Sequence, residues 1–266
     1  MTSAPTLITD KTDGVAVLQI NRPERRNALD AHTYAALTHA LRDADQDLSI
    51  HAIILTGTRH VFTAGADLAA FQARSGGEGA AISFLHTLSQ VQTPILAAVE
   101  GHAIGIGLTL LLHCDFVFVA ENANLRAPFV NLGLCPEGAS SLLLAHFVGQ
   151  RVASDWLLSG RAITGSEAHR AGLASRLCET GTTLDAAHEQ ARQLCGQSRD
   201  ALRLTKKLMR QPLAQAVTAT LDEEARHFAE RLKTDDAQRA FARFFSAAGS
   251  TAKSGAAATG ATRSTH

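Results

Sequence analysis

An α/β fold built on parallel strands is what this sequence predicts, and three observations predict it. Short apolar runs closed by turn residues alternate with stretches whose apolar residues recur at helical spacing. The runs are continuous rather than alternating, as strands covered on both faces are. From about Gln197 onward the strand-like runs stop and only helical patterns remain.

The first run, Val15-Ala16-Val17-Leu18-Gln19-Ile20, follows a turn at Asp13-Gly14 and ends at Asn21-Arg22-Pro23. Asp30 is placed to cap a helix to about Asp47, because Tyr34, Leu37, Leu41 and Leu48 recur at helical spacing. Ala52-Ile53-Ile54-Leu55-Thr56-Gly57 is a buried strand closed by glycine. A polar stretch around Ser75-Gly76-Gly77-Glu78-Gly79 leads into a helix over about Ala80 to Val91, a strand at Ile95 to Glu100 and a second helix from near Gly105. Asp115 to Ala120 is a further strand, and Ser140 to Phe147 and Val152 to Leu158 are helices. The strands and helices of residues 1–196 form one core, and Ala201 to Arg210, Pro212 to Leu232 and Asp235 to Phe245 make residues 197–246 a helical region. Ala- and Leu-rich helices beyond a complete core are expected to pack on a neighbouring subunit. Residues 247–266, rich in Ala, Gly, Ser and Thr without a periodic apolar face, are expected to be a disordered tail.

Composition narrows the function classes. The 266 residues, 45% of them hydrophobic, suffice for a sizeable core. Lys+Arg and Asp+Glu are equal at 25 each, so net charge offers no general attraction to nucleic acid or an anionic membrane, and an anionic ligand needs a local site. Met1 to Thr6 lacks the pattern of a secretory signal and no apolar run is long enough for a membrane span, so a cytoplasmic protein is expected. Cys114, Cys135, Cys178 and Cys195 contain no CxxC pair and are expected to be free thiols. The 12 histidines are scattered singly, with no HExxH, and no metal site is expected.

Three segments carry chemistry. Arg22-Pro23-Glu24-Arg25-Arg26-Asn27-Ala28-Leu29 is a basic loop before a helix, suited either to a phosphate-bearing ligand or to solvent. His60-Val61-Phe62-Thr63-Ala64-Gly65-Ala66-Asp67-Leu68 carries small residues that let a ligand lie against the main chain. Gly101-His102-Ala103-Ile104-Gly105-Ile106-Gly107-Leu108 is a glycine turn opening an apolar helix, an arrangement that directs backbone N–H groups at an oxyanion. It is not a dinucleotide loop, because the GxGxxG order is absent.

In this order and spacing the three segments resemble the crotonase (enoyl-CoA hydratase/isomerase) superfamily, from Val15 to about Phe245. The resemblance implies a spiral of ββα units with a C-terminal helical trimerisation region, hence a homotrimer or a hexamer made of two trimers. It also implies an acyl-CoA thioester as substrate, with coenzyme A part of that substrate and no separate cofactor. By the same resemblance Arg26 and Ala28 border the CoA moiety, Ala64 to Leu68, including Asp67, contact its adenine side, and the N–H groups of Ala66 and Ile106 form the oxyanion hole. Ile104, Phe129 and Leu132 would complete the binding surface. Ile106 stands where many members have glycine, which a backbone donor tolerates.

Enoyl-CoA hydratases of the family use two glutamates, and here Thr109 and Phe129 occupy those places. Cys135-Pro136-Glu137-Gly138 is instead similar to the Pro-Glu-Gly segment of the peroxisomal-type Δ3,Δ2-enoyl-CoA isomerases, whose catalytic base Glu137 matches. Isomerisation of a 3-enoyl-CoA to the 2-enoyl-CoA needs one proton shuttle, and Phe129, Leu132, Leu134 and Leu142 are expected to form an apolar wall that raises its pKa. The bland alternative for Glu137 is a carboxylate in the first turn of a helix after proline. Ser140 and Ser141 read as first-turn residues, since no GxSxG elbow is present, and Asp67 reads as structural. The other readings are hydration or thioester hydrolysis on an acyl-CoA, or a silent acyl-CoA-binding protein. The loop from about Phe71 to Ala81 is expected to shape the acyl pocket.

Overall fold

A computed structural model of the chain describes residues 4–68 and 77–246. Asp13 and Gly14 both have positive φ, 52° and 81°, the geometry that closes a two-residue hairpin. The turn joins β1 (Leu7–Thr12) to β2 (Val15–Ile20), with Thr12 opposite Val15. Apolar patterning gives no sign of β1, since all of it beyond Leu7 is exposed; backbone pairing, Leu7 against the core and the ion pairs of Lys11 with Asp43 and Asp47 hold it. Inward from β2 the sheet is parallel: β3 (Ala52–Thr56), β4 (Ile95–Val99), β6 (Phe116–Ala120) and β9 (Arg176–Cys178) follow in spatial order.

The continuous apolar runs are explained by two covered faces. Ile53, Leu55, Ile95, Ala97, Val117 and Val119 pack on the side of α1 (Ala31–Gln46) and α2 (Gly77–Gln90), while Ala52, Ile54, Leu96, Ala98 and Phe118 pack against Ala187, Ala191 and Leu194. Those last three belong to α7 (Thr183–Cys195), which the sequence reading did not separate out. Asp30 caps α1 as expected, its carboxylate accepting from the Thr33 N–H at 2.8 Å. The helix ends at Gln46, however, and Leu48 is 80% exposed, so it belongs to the turn and not to the apolar face.

A second sheet is made of three-residue strands, β5 (His102–Ile104), β7 (Asn124–Arg126) and β8 (Ala162–Thr164). Strands so short have no readable period. Between β5 and β6 runs a short helix, α3 (Ile106–Thr109), tightened into a 3-10 turn over Leu110–His113. α4 (Ser140–Val148) and α5 (Gln150–Ser159) follow close to their expected bounds, and α6 (Gly165–Arg170) precedes β9.

After β9 and α7 come α8 (Arg199–Arg210), α9 (Ala214–Leu232) and α10, residues 235–246. α8 is inverted relative to an ordinary amphipathic helix. Its basic face is turned inward: Arg203 pairs with Asp45 at 2.7 Å, Lys206 with Asp115 at 2.6 Å and Arg210 with Asp115 at 2.8 Å. Asp45 also accepts from the Thr93 N–H and Asp115 from the Ile95 N–H, so both carboxylates fasten α8 to the entry of β4. Burial pushes Lys206 down to about 8 against the opposing pull of Asp115. Outward, α8 exposes Leu204, Leu208 and Met209. Among the described residues no helix is long and apolar enough to cross a membrane. The expected tail, residues 247–266, lies outside the described residues.

Asp115→Ala would leave Lys206 and Arg210 without their carboxylate and is expected to cost about 3–5 kcal/mol, whereas Lys206→Met, which leaves Asp115 paired with Arg210, should cost much less. Urea unfolding of both variants checks this; equal losses would contradict it.

Candidate active site

The first two motif loops meet at Asn27. Arg26 and Asn27 are both left-handed (φ 51° and 56°), a conformation that needs a reason outside glycine. Asn27 supplies one: fully buried, its side chain accepts from the Arg22 N–H at 2.8 Å and donates to the carbonyls of Val61 and Phe62 at 2.9 and 3.2 Å. Thr63 completes the junction, its hydroxyl donating to the Asn27 carbonyl at 2.7 Å and accepting from the Gly65 N–H at 3.0 Å. Arg22 pairs with Asp30 at 3.0 Å and Asp67 at 3.5 Å, and it also donates to the Ala28 carbonyl.

Thr63 then pairs in parallel with Ala103 of β5, through Thr63 N–H to the His102 carbonyl and Ile104 N–H to the Thr63 carbonyl. The two loops run so close that a Cβ on Gly65, itself at φ 93°, would lie 2.6 Å from the Ile104 carbonyl oxygen. Just beyond this crossing Ala66 and Ile106 line one cavity, and among the described residues neither N–H donates to a protein acceptor. Two unpaired backbone donors on an apolar cavity wall are suited to an oxygen that gains negative charge.

The cavity is walled by Leu68, Ile104, Phe129, Leu132, Leu134 and Glu137 from the core. Phe228 and Leu232 of α9 and Phe241 and Phe244 of α10 close it. A second, smaller cavity lies between α2 and α9 against Ala81, Ile82, Leu85, Leu221 and Ala225. Glu137 and Phe228 belong to both, so Glu137 stands where the two spaces join. It is the one ionisable residue among the described residues lining either. Loss of hydration first, and the charge of Glu224 second, push its carboxyl up to about 8.

Glu137 is not a first-turn helical residue. α4 begins at Ser140, and between them Gly138 (φ 73°) and Ala139 (φ 54°) make a left-handed turn. His113 donates from Nε2 to the Gly138 carbonyl at 2.9 Å; burial holds its pKa down to about 4, so it stays neutral and fit for that single bond. From α9 the Glu224 carboxylate accepts from the N–H groups of Ala139 at 2.6 Å and Ser141 at 2.9 Å. Ser140 and Ser141 sit in the first turn, as expected.

Of the sequence-derived site residues, Ala64, Ala66, Leu68, Ile104, Ile106, Phe129, Leu132 and Glu137 are brought together around the larger cavity. Arg26 and Ala28 are not on its wall: Arg26 is exposed on the adjoining loop, its carbonyl accepting from the Ala64 N–H. Asp67 faces Arg22, which ties two loops together, so its contact is with the protein. Leu142 is not in the wall either; Phe228, Leu232, Phe241 and Phe244 take that place, contributed by helices whose position relative to the core no local pattern announces. Residues 69–76, most of the loop expected to shape the acyl pocket, lie outside the described residues, while Ala81 lines the second cavity.

Thr109 and Phe129 are both buried, Thr109 with a hydroxyl that has no hydrogen-bond partner among the described residues. Thr109 is fully buried, and a Cβ on Gly138 would meet its Cβ at 2.9 Å, so residue 109 packs directly on the turn after Glu137. Phe129, 4% exposed, stands edge-on to Phe228 at 6.5 Å between ring centres.

A carboxyl whose pKa rises from 4.5 in an open chain to about 8 when folded holds, between those values, a proton that the unfolded chain releases. Its contribution to stability is full below about 4.5 and lost as pH rises through about 8. Glu137→Gln lacks this penalty, so its stability advantage over wild type should grow from pH 5 to pH 8, to on the order of 3 kcal/mol. Thermal unfolding at the two pH values measures it, and a pH-independent difference would contradict the burial of the charge.

Comparison with known proteins agrees with this architecture. The family model described as enoyl-CoA hydratase/isomerase matches residues 10–248. The chain is 32% identical over 242 residues to a probable enoyl-CoA hydratase of Mycobacterium leprae, covering 90% of this chain and 94% of that one. It is 33% identical over 249 residues to the 2,3-dehydroadipyl-CoA hydratase of Escherichia coli, with coverage of 90% and 94%. The crystal structure of an enoyl-CoA hydratase/isomerase from Pseudoalteromonas atlantica superposes with a TM-score of 0.87 at 40% identity, covering 91% of this chain and 97% of the other. Matched over almost its whole folded length, in sequence and in fold, the chain belongs to the enoyl-CoA hydratase/isomerase family, the crotonase superfamily.

Proposed function

We propose that the chain is a Δ3,Δ2-enoyl-CoA isomerase, closest in its chemistry to the peroxisomal-type enzymes. One observation carries the reading: among the described residues, a single carboxyl lines an apolar cavity that also offers two unpaired backbone N–H groups. Ionised Glu137 removes a proton from C2 of the 3-enoyl-CoA, and the electron pair of that C–H bond passes into the thioester, whose oxygen becomes an oxyanion. The Ala66 and Ile106 N–H groups stabilise it, a pair of contacts of which each is typically worth a factor of about 100 to 1,000 in rate. Glu137, now a carboxylic acid, returns the proton at C4 as the double bond moves to C2–C3, and the carboxylate is regenerated. Proton uptake and release by one group require a pKa near the working pH, which burial supplies.

The acyl chain extends past Glu137 into the space lined by Ala81, Ile82, Leu85, Leu221 and Ala225. The CoA moiety leaves beside Ala64 and Leu68, with Ala28 and the exposed Arg26 at its border and Asp67 acting through Arg22. No cofactor is required beyond the coenzyme A of the substrate. The outward Leu204, Leu208 and Met209 of α8 support a homotrimer or a hexamer of two trimers, and a cytoplasmic location agrees with the composition.

The names of the relatives favour a second reading, hydration. Against it stand Thr109 and Phe129, which cannot activate water, and a cavity wall on which, among the described residues, Glu137 is the one ionisable side chain.

Glu137→Gln is expected to lose at least about 1,000-fold in conversion of a 3-enoyl-CoA to the 2-enoyl-CoA while its Kd for the thioester stays within about threefold. An active variant would remove Glu137 from the mechanism; a wild type that binds the ester but turns over neither a 3-enoyl- nor a 2-enoyl-CoA would leave a binding protein.

A further inference from the structure

The C-terminal helices carry a carboxylate that the reaction above does not use. Glu224 of α9 is 7% exposed and reaches the turn between Glu137 and α4. One oxygen accepts from Ala139 N–H at 2.6 Å and the other from Ser141 N–H at 2.9 Å. The two residues between Glu137 and the helix are left-handed, and Ala139 adopts this at a steric cost that glycine would not have. A bidentate charged acceptor on that turn, with His113 donating to its Gly138 carbonyl from the other side, fixes where the Glu137 side chain leaves the backbone.

We propose that Glu224 is a positioning residue for Glu137, fixing the turn that carries it and setting, by its own negative charge, how readily Glu137 takes up a proton. The division of labour follows from the hydrogen bonds. Glu224 accepts two backbone N–H groups, which favour its ionised form, whereas Glu137 has no such donor among the described residues and faces an apolar cavity. Of two neighbouring carboxyls the unsupported one holds the proton. Burial raises both, and the Glu224 charge adds to the rise at Glu137.

The other titratable groups near Glu137 do not oppose this. Tyr34 of α1, fully buried, is pushed well up first by burial and then by Glu137 and two aspartates, and stays neutral. Cys135 on the same loop is raised by burial, with Arg231 pulling it down. His113 is neutral, with Arg210 and Lys206 behind it engaged by Asp115. α2 and α10 present Ala81, Ile82, Leu85, Phe241 and Phe244. Glu224 is therefore the charge that Glu137 meets.

The inference rests on Glu137 as the reacting base, but its test does not need turnover. In protein labelled with 13C at the glutamate side-chain carboxyls, with the Glu137 signal assigned through Glu137→Gln, its titration is followed in wild type, Glu224→Gln and Glu224→Asp. In Glu224→Gln the Glu137 midpoint should fall by about one pH unit. The acid limb of kcat/KM for a 3-enoyl-CoA should move with it, the plateau should drop a few-fold because the base is weaker, and KM should change less than twofold. Glu224→Asp, which keeps the charge, should titrate close to wild type. A Glu137 midpoint unmoved in Glu224→Gln, or a Glu224→Gln protein that does not fold, would reduce Glu224 to a helix cap and overturn the proposal. Absence of isomerase activity in wild type would count against the isomerase reading alone and leave the titration to decide the role of Glu224.

Discussion

The site depends on how closely two backbones can approach. Gly65 lies against the Ile104 carbonyl at a separation that excludes any Cβ, and Gly107 is equally close to the Thr63 side chain, 2.6 Å from where its own Cβ would be. Only at this spacing can Thr63 pair with Ala103 and bring Ala66 and Ile106 to one cavity wall. Asn27 holds the arrangement from behind with three side-chain hydrogen bonds in a fully buried setting, where a lost partner costs more than the bond itself is worth. The basic loop thus serves largely as a fastening, with Arg22 bridging Asp30 and Asp67.

The second requirement is a dry setting for one carboxyl, and the strand-containing core does not meet it alone. Phe129, Leu132 and Leu134 give one wall, and α9 and α10 give the other through Phe228, Leu232, Phe241 and Phe244. α8, anchored by Lys206 and Arg210 on Asp115, sets where that C-terminal region begins. Sequence that lies well over a hundred residues from the glycine turn therefore decides how much water reaches Glu137. The link from packing to the chemistry of the site is desolvation, which lifts the Glu137 carboxyl from an ordinary 4.5 to about 8.

Much of this was legible before the fold. The buried strands at Val15, Ala52, Ile95 and Asp115 read directly, because both faces are covered and the runs are almost continuously apolar. The eight residues around the larger cavity were found through motif resemblance, which carries spatial information that periodicity does not. The exposed β1, the three-residue strands β5, β7 and β8 and the helix α7 were not legible. Leu48 fits a helical spacing and sits in a turn, while Leu142 fits an apolar run and misses the cavity. Both errors come from patterns that record burial without recording direction. Phe228 and Glu224 were missed for a related reason: on an amphipathic helix an inward phenylalanine looks like any core residue, and an inward glutamate looks like a solvated one.

The measurement that bears most directly on the central claim is the identity of the product formed from a 3-enoyl-CoA in D2O, followed by NMR. The expected product is the 2-enoyl-CoA, with part of the original C2 hydrogen delivered to C4 by Glu137 and the remainder replaced by deuterium from solvent. A 3-hydroxyacyl-CoA formed from the 2-enoyl-CoA at a comparable rate would mean that water is activated in this site, and would contradict a one-carboxyl proton shuttle.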